Sequence, residues 1–285
     1  MKNFFSKNFN VMILGIVIIC SVFLLFQELN RDKNPKIIFL DVGQGDSTLI
    51  ITPNGRKILV DAGKYSSISE KISNHIGFLD RSIDMVIATH PDSDHVTGFN
   101  TLIDEYDIGY FVHSGLLAGS PIYRTIASKV RDKNVSTITA YAGEIIEVDT
   151  NMFIEILSPY LNQKIDEPNN HSVVVKINYL DTSILLTGDA SIIVEQNLVS
   201  LYGERLQSDI LKLGHHGSKT STSSNFVQTV QPEYGIISAG CNNTFGHPHA
   251  AVLRTLDDYG VTDISTCEQG DIVFEFKEGD WILEK

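Results

Sequence analysis

The sequence predicts a layered α/β or α+β domain behind one apolar N-terminal segment. Three observations carry this. Short runs rich in β-branched residues recur along the chain. Stretches with apolar residues at helical spacing fall between them. Turn residues separate the two kinds.

The first element is Val11–Phe26, VMILGIVIICSVFLLF, which carries no charge. Lys2 and Lys7 precede it; Gln27, Glu28 and Arg31 follow. At about 1.5 Å per residue the run is slightly short of a hydrocarbon core, and Phe9 and Leu29 extend it. A cleaved signal peptide has the same basic start and apolar centre. No small-x-small site follows Phe26, so an uncleaved single-pass anchor is favoured. The resulting plan is a short segment 1–10, an anchor 11–27, a polar linker 28–35 and a domain 36–285. The expectation is a membrane location through that helix, with an extracellular catalytic domain.

Strands are expected at Ile37–Val42, Thr48–Thr52 and Lys57–Val60, with Pro53-Asn54-Gly55 as a hairpin turn. Ile68, Ile72, Ile76 and Leu79 mark a helix, and Met85–Ala88 the next strand. Ile122, Ile126 and Val130 mark a second helix, followed by strands Val135–Ala140, Ile145–Val148 and Met152–Leu157. The second half repeats the theme: strands Val173–Tyr179 and Ser183–Leu186, helix Ile192–Leu206, strands Ile210–Leu213 and Tyr234–Ser238. Helix Ala250–Tyr259 and strands Thr262–Ser265 and Ile272–Phe276 complete it.

Composition narrows the function. Hydrophobic residues make up 42% and charged residues 20%, which excludes a disordered or low-complexity chain. The net charge of −13 sets the overall field against polyanions, so action on nucleic acid requires a local site. Cys20, Cys241 and Cys267 are too few for a disulfide framework.

The sharpest motif is Thr89-His90-Pro91-Asp92-Ser93-Asp94-His95, where an apolar strand ends in four potential ligands. Imidazole with carboxylate suits zinc, manganese or iron. Four such groups exceed what one ion needs from one loop, which implies two ions. Asp94 alone could cap a helix, but two histidines around two aspartates are poorly explained by capping. A second strand ends at Thr187-Gly188-Asp189, where Asp189 can bridge two ions. A third ends at Gly214-His215-His216-Gly217-Ser218, where flanking glycines let one ring reach a metal.

In order, Asp41-Val42-Gly43-Gln44-Gly45-Asp46-Ser47, Leu59-Val60-Asp61-Ala62-Gly63, the His90–His95 loop, Thr187-Gly188-Asp189, His215-His216-Gly217-Ser218 and Gly246-His247-Pro248-His249 resemble the metallo-β-lactamase superfamily. Within it they are most similar to the C-terminal hydrolase domain of ComEC competence proteins and its stand-alone relatives. The resemblance covers about residues 36–285. It implies a four-layer αββα sandwich with a di-metal site at one edge of two facing sheets. His90 and Asp92 would hold the first ion. Asp94 and His95 would hold the second, with His215 as its further ligand and Asp189 bridging; His171 and His216 are less firmly placed. Asp61, and Asp46 if it faces the site, would orient ligands from behind.

The superfamily's common loop is His-x-His-x-Asp-His. Here Asp92 stands at the second histidine, a harder site for which manganese is as plausible as zinc. His171 is either a ligand or a neighbour of the site. His247, before the Ala250 helix, either meets a phosphate or protonates a leaving group, or belongs to a solvated loop. The implied function is a metal-dependent phosphodiesterase or nuclease, with Asp94 and His247 in the catalytic apparatus and a phosphodiester, such as single-stranded DNA, as substrate. The ions would lower the pKa of a shared water for attack on phosphorus. Two alternatives stand beside it. One is a phosphoester hydrolase on cell-wall polymers of the choline-phosphate type. The other is a non-catalytic, membrane-tethered binding module, which would need no metal.

Overall fold

The computed structural model describes residues 12–22, 34–116, 120–161 and 167–284. The chain divides into two units, Met1–Lys33 and Asn34–Lys285. In the first unit residues 12–22 are helical (α1), with exposed apolar side chains. Among the described residues no helix is long and apolar enough to cross a membrane. Eleven residues rise roughly 16 Å, about half of a hydrocarbon core. This overturns the expected transmembrane anchor over 11–27, and with it the single-pass membrane location; Val11 and residues 23–27 of that span lie outside the described residues.

The second unit contains two sheets. The first runs in spatial order β15-β14-β1-β2-β3-β4-β5-β6. Its strands are β1 (Lys36–Phe39), β2 (Thr48–Ile51), β3 (Lys57–Val60), β4 (Ser82–Ala88), β5 (Asp107–His113), β6 (Ser136–Thr139), β14 (Ile272–Lys277) and β15 (Asp280–Leu283). The second runs β13-β12-β11-β10-β9-β8-β7. Its strands are β7 (Ile145–Asp149), β8 (Met152–Ser158), β9 (Val174–Tyr179), β10 (Thr182–Leu186), β11 (Ile210–Lys212), β12 (Tyr234–Ile237) and β13 (Thr262–Ser265).

Strand alternation builds the layers. In β1, Ile37 and Phe39 enter the core between the sheets, while Ile38 packs outward. In β11, Ile210 faces the same interior and Leu211 faces out. The outer face of the first sheet is covered by α2 (Ile68–Ile76), α4 (Phe99–Glu105) and α5 (Pro121–Asp132). That of the second is covered by α6 (Ile192–Tyr202), α7 (Ser224–Val230) and α8 (Ala250–Asp258). The short helices α3 (Ser93–Val96) and α9 (Thr266–Gln269) lie in loops. Near-continuous apolar runs such as Met85-Val86-Ile87-Ala88 follow from burial on both faces. Helix, sheet, sheet, helix is the expected four-layer order.

Some boundaries differ from expectation. Helix α2 stops at Ile76 because Gly77 takes φ 93°, leaving Leu79 exposed. On the same helix, His75 pairs with Asp271 at 3.0 Å. Strand β5 ends on His113, and its first half is largely exposed. Cys241 and Cys267 form a disulfide that ties the loop after β12 to α9.

One topological fact positions the site. Strands β3, β4, β5 and β6 are mutually parallel, as are β10, β11, β12 and β13. The carboxyl ends of each parallel set therefore share one edge, where the loops that follow them gather. Strand β2 is antiparallel to β3, so its start lies at that same edge and delivers Asp46 there.

Candidate metal centre

Five strand junctions meet at this edge. Asp61 follows β3, the His90–His95 loop follows β4, Asp189 follows β10 and His215-His216 follow β11. Asp46 precedes β2. Asp189 is central: its carboxylate oxygens lie 3.2 Å from His95 Nε2, 3.6 Å from His215 Nε2, 3.7 Å from His216 Nε2 and 3.8 Å from His90 Nε2. Asp92 lies 3.7 Å from His90 Nε2, and Asp94 lies 3.4 Å from His216 Nε2. The sequence therefore places His90, Asp92, Asp94, His95, Asp189 and His215 together, although they span more than a hundred residues of chain.

The backbone is specialised to do this. His215 and His216 both take positive φ, 49° and 58°, as does Asp61 at 59°. Side chains with φ in this region are uncommon, and the turn sends the two adjacent rings in different directions. Two glycines clamp the loops. A Cβ on Gly45 would lie 2.2 Å from the Asp94 carbonyl oxygen, so only glycine lets the Asp46 loop seat on the His90–His95 loop. A Cβ on Gly217, at φ 83°, would lie 2.8 Å from Pro248.

Hydrogen bonds behind the rings determine which nitrogen faces inward. Asp61 accepts the Thr89 backbone N–H at 2.8 Å. Its Oδ2 lies 2.7 Å from Thr89 Oγ1 and 2.7 Å from His95 Nδ1. A carboxylate only accepts, so His95 carries its proton on Nδ1 and Thr89 donates its hydroxyl to Asp61. Thr89 Oγ1 is then left as acceptor for His90 Nδ1, 3.0 Å away. One carboxylate thus fixes two histidines with Nε2 lone pairs turned to the centre. Asp46 does the same for His216, meeting its Nδ1 at 3.0 Å.

Four atoms at the centre are buried and make no well-aligned hydrogen bond: Nε2 of His90, His95 and His216, and Oδ1 of Asp189, although His95 Nε2 and Asp189 Oδ1 face each other at 3.2 Å. Leaving such atoms bare costs about 1–3 kcal/mol each. Asp46, His95, Asp189 and His216 each offer a ligand atom within 4.8 Å of the others. Borderline nitrogen and hard oxygen donors in this set fit divalent cations. The group is a metal-binding arrangement by its donors and its geometry.

Without metal, like charges crowd the site. Burial and the charge on His95 push His90 down to about 3. Burial alone would lower His216, but Asp189 and Asp46 outweigh it and raise it to about 9. Burial opposes ionisation of Asp189, yet His95 and His216 hold it well below the carboxylate range.

The adjacent histidines divide differently from expectation. His216, not His215, is the buried ring beside Asp94, and it completes the His95–Asp189 group. His215 is more exposed and reaches Asp189 from the open side, with Thr220 Oγ1 3.3 Å from its Nδ1. His171 is buried at the end of the 3₁₀ turn Pro168–His171. Among the described residues its ring makes no hydrogen bond or ion pair with the cluster; the neighbouring Ser172 Oγ instead accepts the Asp189 N–H at 3.2 Å. His247 lies beside these two rings, its centroid 5.6 Å from that of His215 and 6.2 Å from that of His216. Burial and the charges on His216 and His215 push it down to about 4. Exposed Phe245 stacks on it at 5.7 Å.

Residues 40–240 match the family model described as the metallo-beta-lactamase superfamily. The chain is 30% identical to ComE operon protein 3 of Bacillus subtilis, over 94% of its own length and 36% of that protein. It is 32% identical to Recombination protein 2 of Haemophilus influenzae, over 92% of its own length and 31% of the relative. The chain thus spans about a third of the length of these curated relatives. Among solved structures, the metallo-beta-lactamase fold protein YhfI from Bacillus subtilis superposes with a TM-score of 0.54 at 11% identity. That match covers 85% of this chain and 100% of YhfI, a likeness of fold.

Proposed function

The chain belongs to the metallo-β-lactamase superfamily and is ComEC-like, and from that premise we propose that this metal-dependent hydrolase cleaves phosphodiester bonds with two divalent ions, zinc or manganese. The observation that carries the reading is the set of buried atoms without a well-aligned hydrogen bond on His90, His95, His216 and Asp189, converging on one point.

In this reading His90, Asp92 and Asp189 would hold the first ion, with His215 beside them. Asp94, His95, His216 and Asp189 would hold the second. When bound, such a pair supplies Lewis acidity and lowers the pKa of a shared water. The protein's own part is orientation. Asp61 fixes His90 and His95, and Asp46 fixes His216, so no ligand must reorganise when substrate arrives. His247, beside His215 and His216, would meet a phosphoryl oxygen. Lys219, exposed one residue beyond Ser218, supplies positive charge at the rim.

The overall charge of −13 repels a polyanion at long range, but this repulsion is screened beyond about 10 Å at moderate salt. Attraction is then local and depends on the ions. A relative named as a recombination protein makes single-stranded DNA the first polymer to test.

The test is a screen of the full chain, loaded with manganese or zinc, against bis-p-nitrophenyl phosphate, a single-stranded oligonucleotide and a choline-phosphate ester. Turnover of the phosphodiesters that disappears in Asp94→Ala supports the reading. A protein holding two ions and cleaving none of them refutes it, as does full activity in Asp94→Ala.

A further inference from the structure

Lys212 is the last residue of β11 and lies on the same strand face as Ile210, pointing between the sheets. It is only 2% exposed. Its Nζ sits 2.9 Å from Asp46 Oδ2 and donates to the Leu213 carbonyl at 2.8 Å. The other oxygen of Asp46 meets His216 Nδ1 at 3.0 Å. A chain of contacts thus runs from Lys212 through Asp46 to His216, whose Nε2 is bare and lies 3.4 Å from Asp94.

Burying an ammonium costs several kcal/mol unless the structure offsets it. Its position excludes the other obvious use for a lysine here, since a residue this enclosed cannot meet a phosphate at the rim. Charge accounts for its retention. Asp46, Asp61, Asp92, Asp94 and Asp189 crowd one edge of the fold. Two divalent ions would neutralise four carboxylates and leave one, and Lys212 is the cation in contact with Asp46. The histidines differ in the same sense. Asp61, behind His95, is held by Thr89 through neutral hydrogen bonds, whereas Asp46, behind His216, is held by a cation.

We propose that Lys212 is a positioning residue for the second ion site: its ammonium holds the Asp46 carboxylate in place, and Asp46 fixes His216 with Nε2 turned to Asp94 and Asp189. The inference rests on the two-ion reading above. It assigns Lys212 to ligand orientation and removes it from the substrate surface. A carboxylate released from Lys212 turns toward water or toward a metal, and His216 loses the acceptor that sets its tautomer.

The experiment is metal titration of the full chain by calorimetry, with chelator competition where binding is tight, and thermal unfolding of the metal-free protein alongside. Lys212→Met should weaken the second equivalent by about 10–100-fold while the first changes little. Removing one partner of a buried pair can prevent folding, so the double variant Lys212→Met with Asp46→Asn, which leaves no unpaired charge, is measured too. It should fold and show the same selective loss. Folded variants with an unchanged second equivalent overturn the proposal. So does an equal loss at both equivalents accompanied by lower metal-free stability, or failure of both variants to fold, since each makes Lys212 merely structural. A wild-type chain that takes up no ions would instead sink the two-ion reading itself.

Discussion

Replacing Asp61 by Asn probes the hydrogen bonding behind two histidines at once. The side chain is buried, and its Oδ2 serves both His95 Nδ1 and Thr89 Oγ1 at 2.7 Å. Asn keeps the shape but has one acceptor oxygen. If that oxygen keeps the Thr89 N–H, the amide NH₂ faces two groups that both donate in the wild type. Thr89 can adapt by accepting, but its proton must then go elsewhere, and His90 Nδ1 is the adjacent acceptor. His90 is thereby pushed to the tautomer protonated at Nε2, which cannot ligate. His95 meets the amide N–H and is pushed the same way. Loss of such an outer partner costs about 10–100-fold in metal affinity, which is about 1.4–2.7 kcal/mol. Here one side chain serves two rings, so the upper end is expected. The assay is zinc or manganese binding by competition with a chromophoric chelator, with turnover of bis-p-nitrophenyl phosphate measured at rising metal. Activity should recover in part as metal is raised. A folded Asp61→Asn protein with wild-type affinity refutes the tautomer argument. So does lost activity that excess metal leaves untouched while both ions are bound.

Three further outcomes are expected. Lys219→Ala should raise the Michaelis constant for a phosphodiester more than it lowers the turnover number, because an exposed rim charge acts mainly on encounter; steady-state kinetics at two salt concentrations decides this, and an unchanged Michaelis constant counts against it. Reducing the Cys241–Cys267 disulfide, or replacing both residues by serine, should cost about 3.5 kcal/mol from a loop with a sequence separation of 26; equal denaturation midpoints with and without reductant would contradict it. Burial tends to raise Asp271, but hydrogen bonds from His75, the Asp41 N–H and Lys71 bring it down to about 2. With a folded pKa below the unfolded one, its contribution of about 2 kcal/mol is present above pH 4 and is lost as pH falls toward 2. Asp271→Asn should therefore lower stability at pH 7 and flatten the acid limb of the denaturation profile, and parallel acid limbs would refute this.

The local chemistry was legible from sequence because it is written in short segments. A strand end followed by His90, Asp92, Asp94 and His95 declares ligands through residue type and spacing, and the ordered motifs carry the family and its layered fold. The apolar segment at 11–26 was legible only as composition; hydropathy does not fix helix length, and among the described residues no helix is long enough to span a membrane. The extent of strand β5 was not legible, because exposure over its first half erased the alternation that periodicity reads.

What tertiary structure alone decided is pairing across long separations. Adjacent residues His215 and His216 have the same sequence context, yet opposite exposure, because two consecutive left-handed residues turn one ring inward and the other toward the opening. Asp46 meets His216 across 170 residues, and Lys212 is enclosed against Asp46. Cys241 and Cys267 became partners only when β12 and β13 were laid side by side. Residue types state which groups can bind a metal or a proton. The parallel register of two sheets brings their strand ends to one edge, and that decides which groups face each other, which are buried, and which nitrogen of each histidine is left bare.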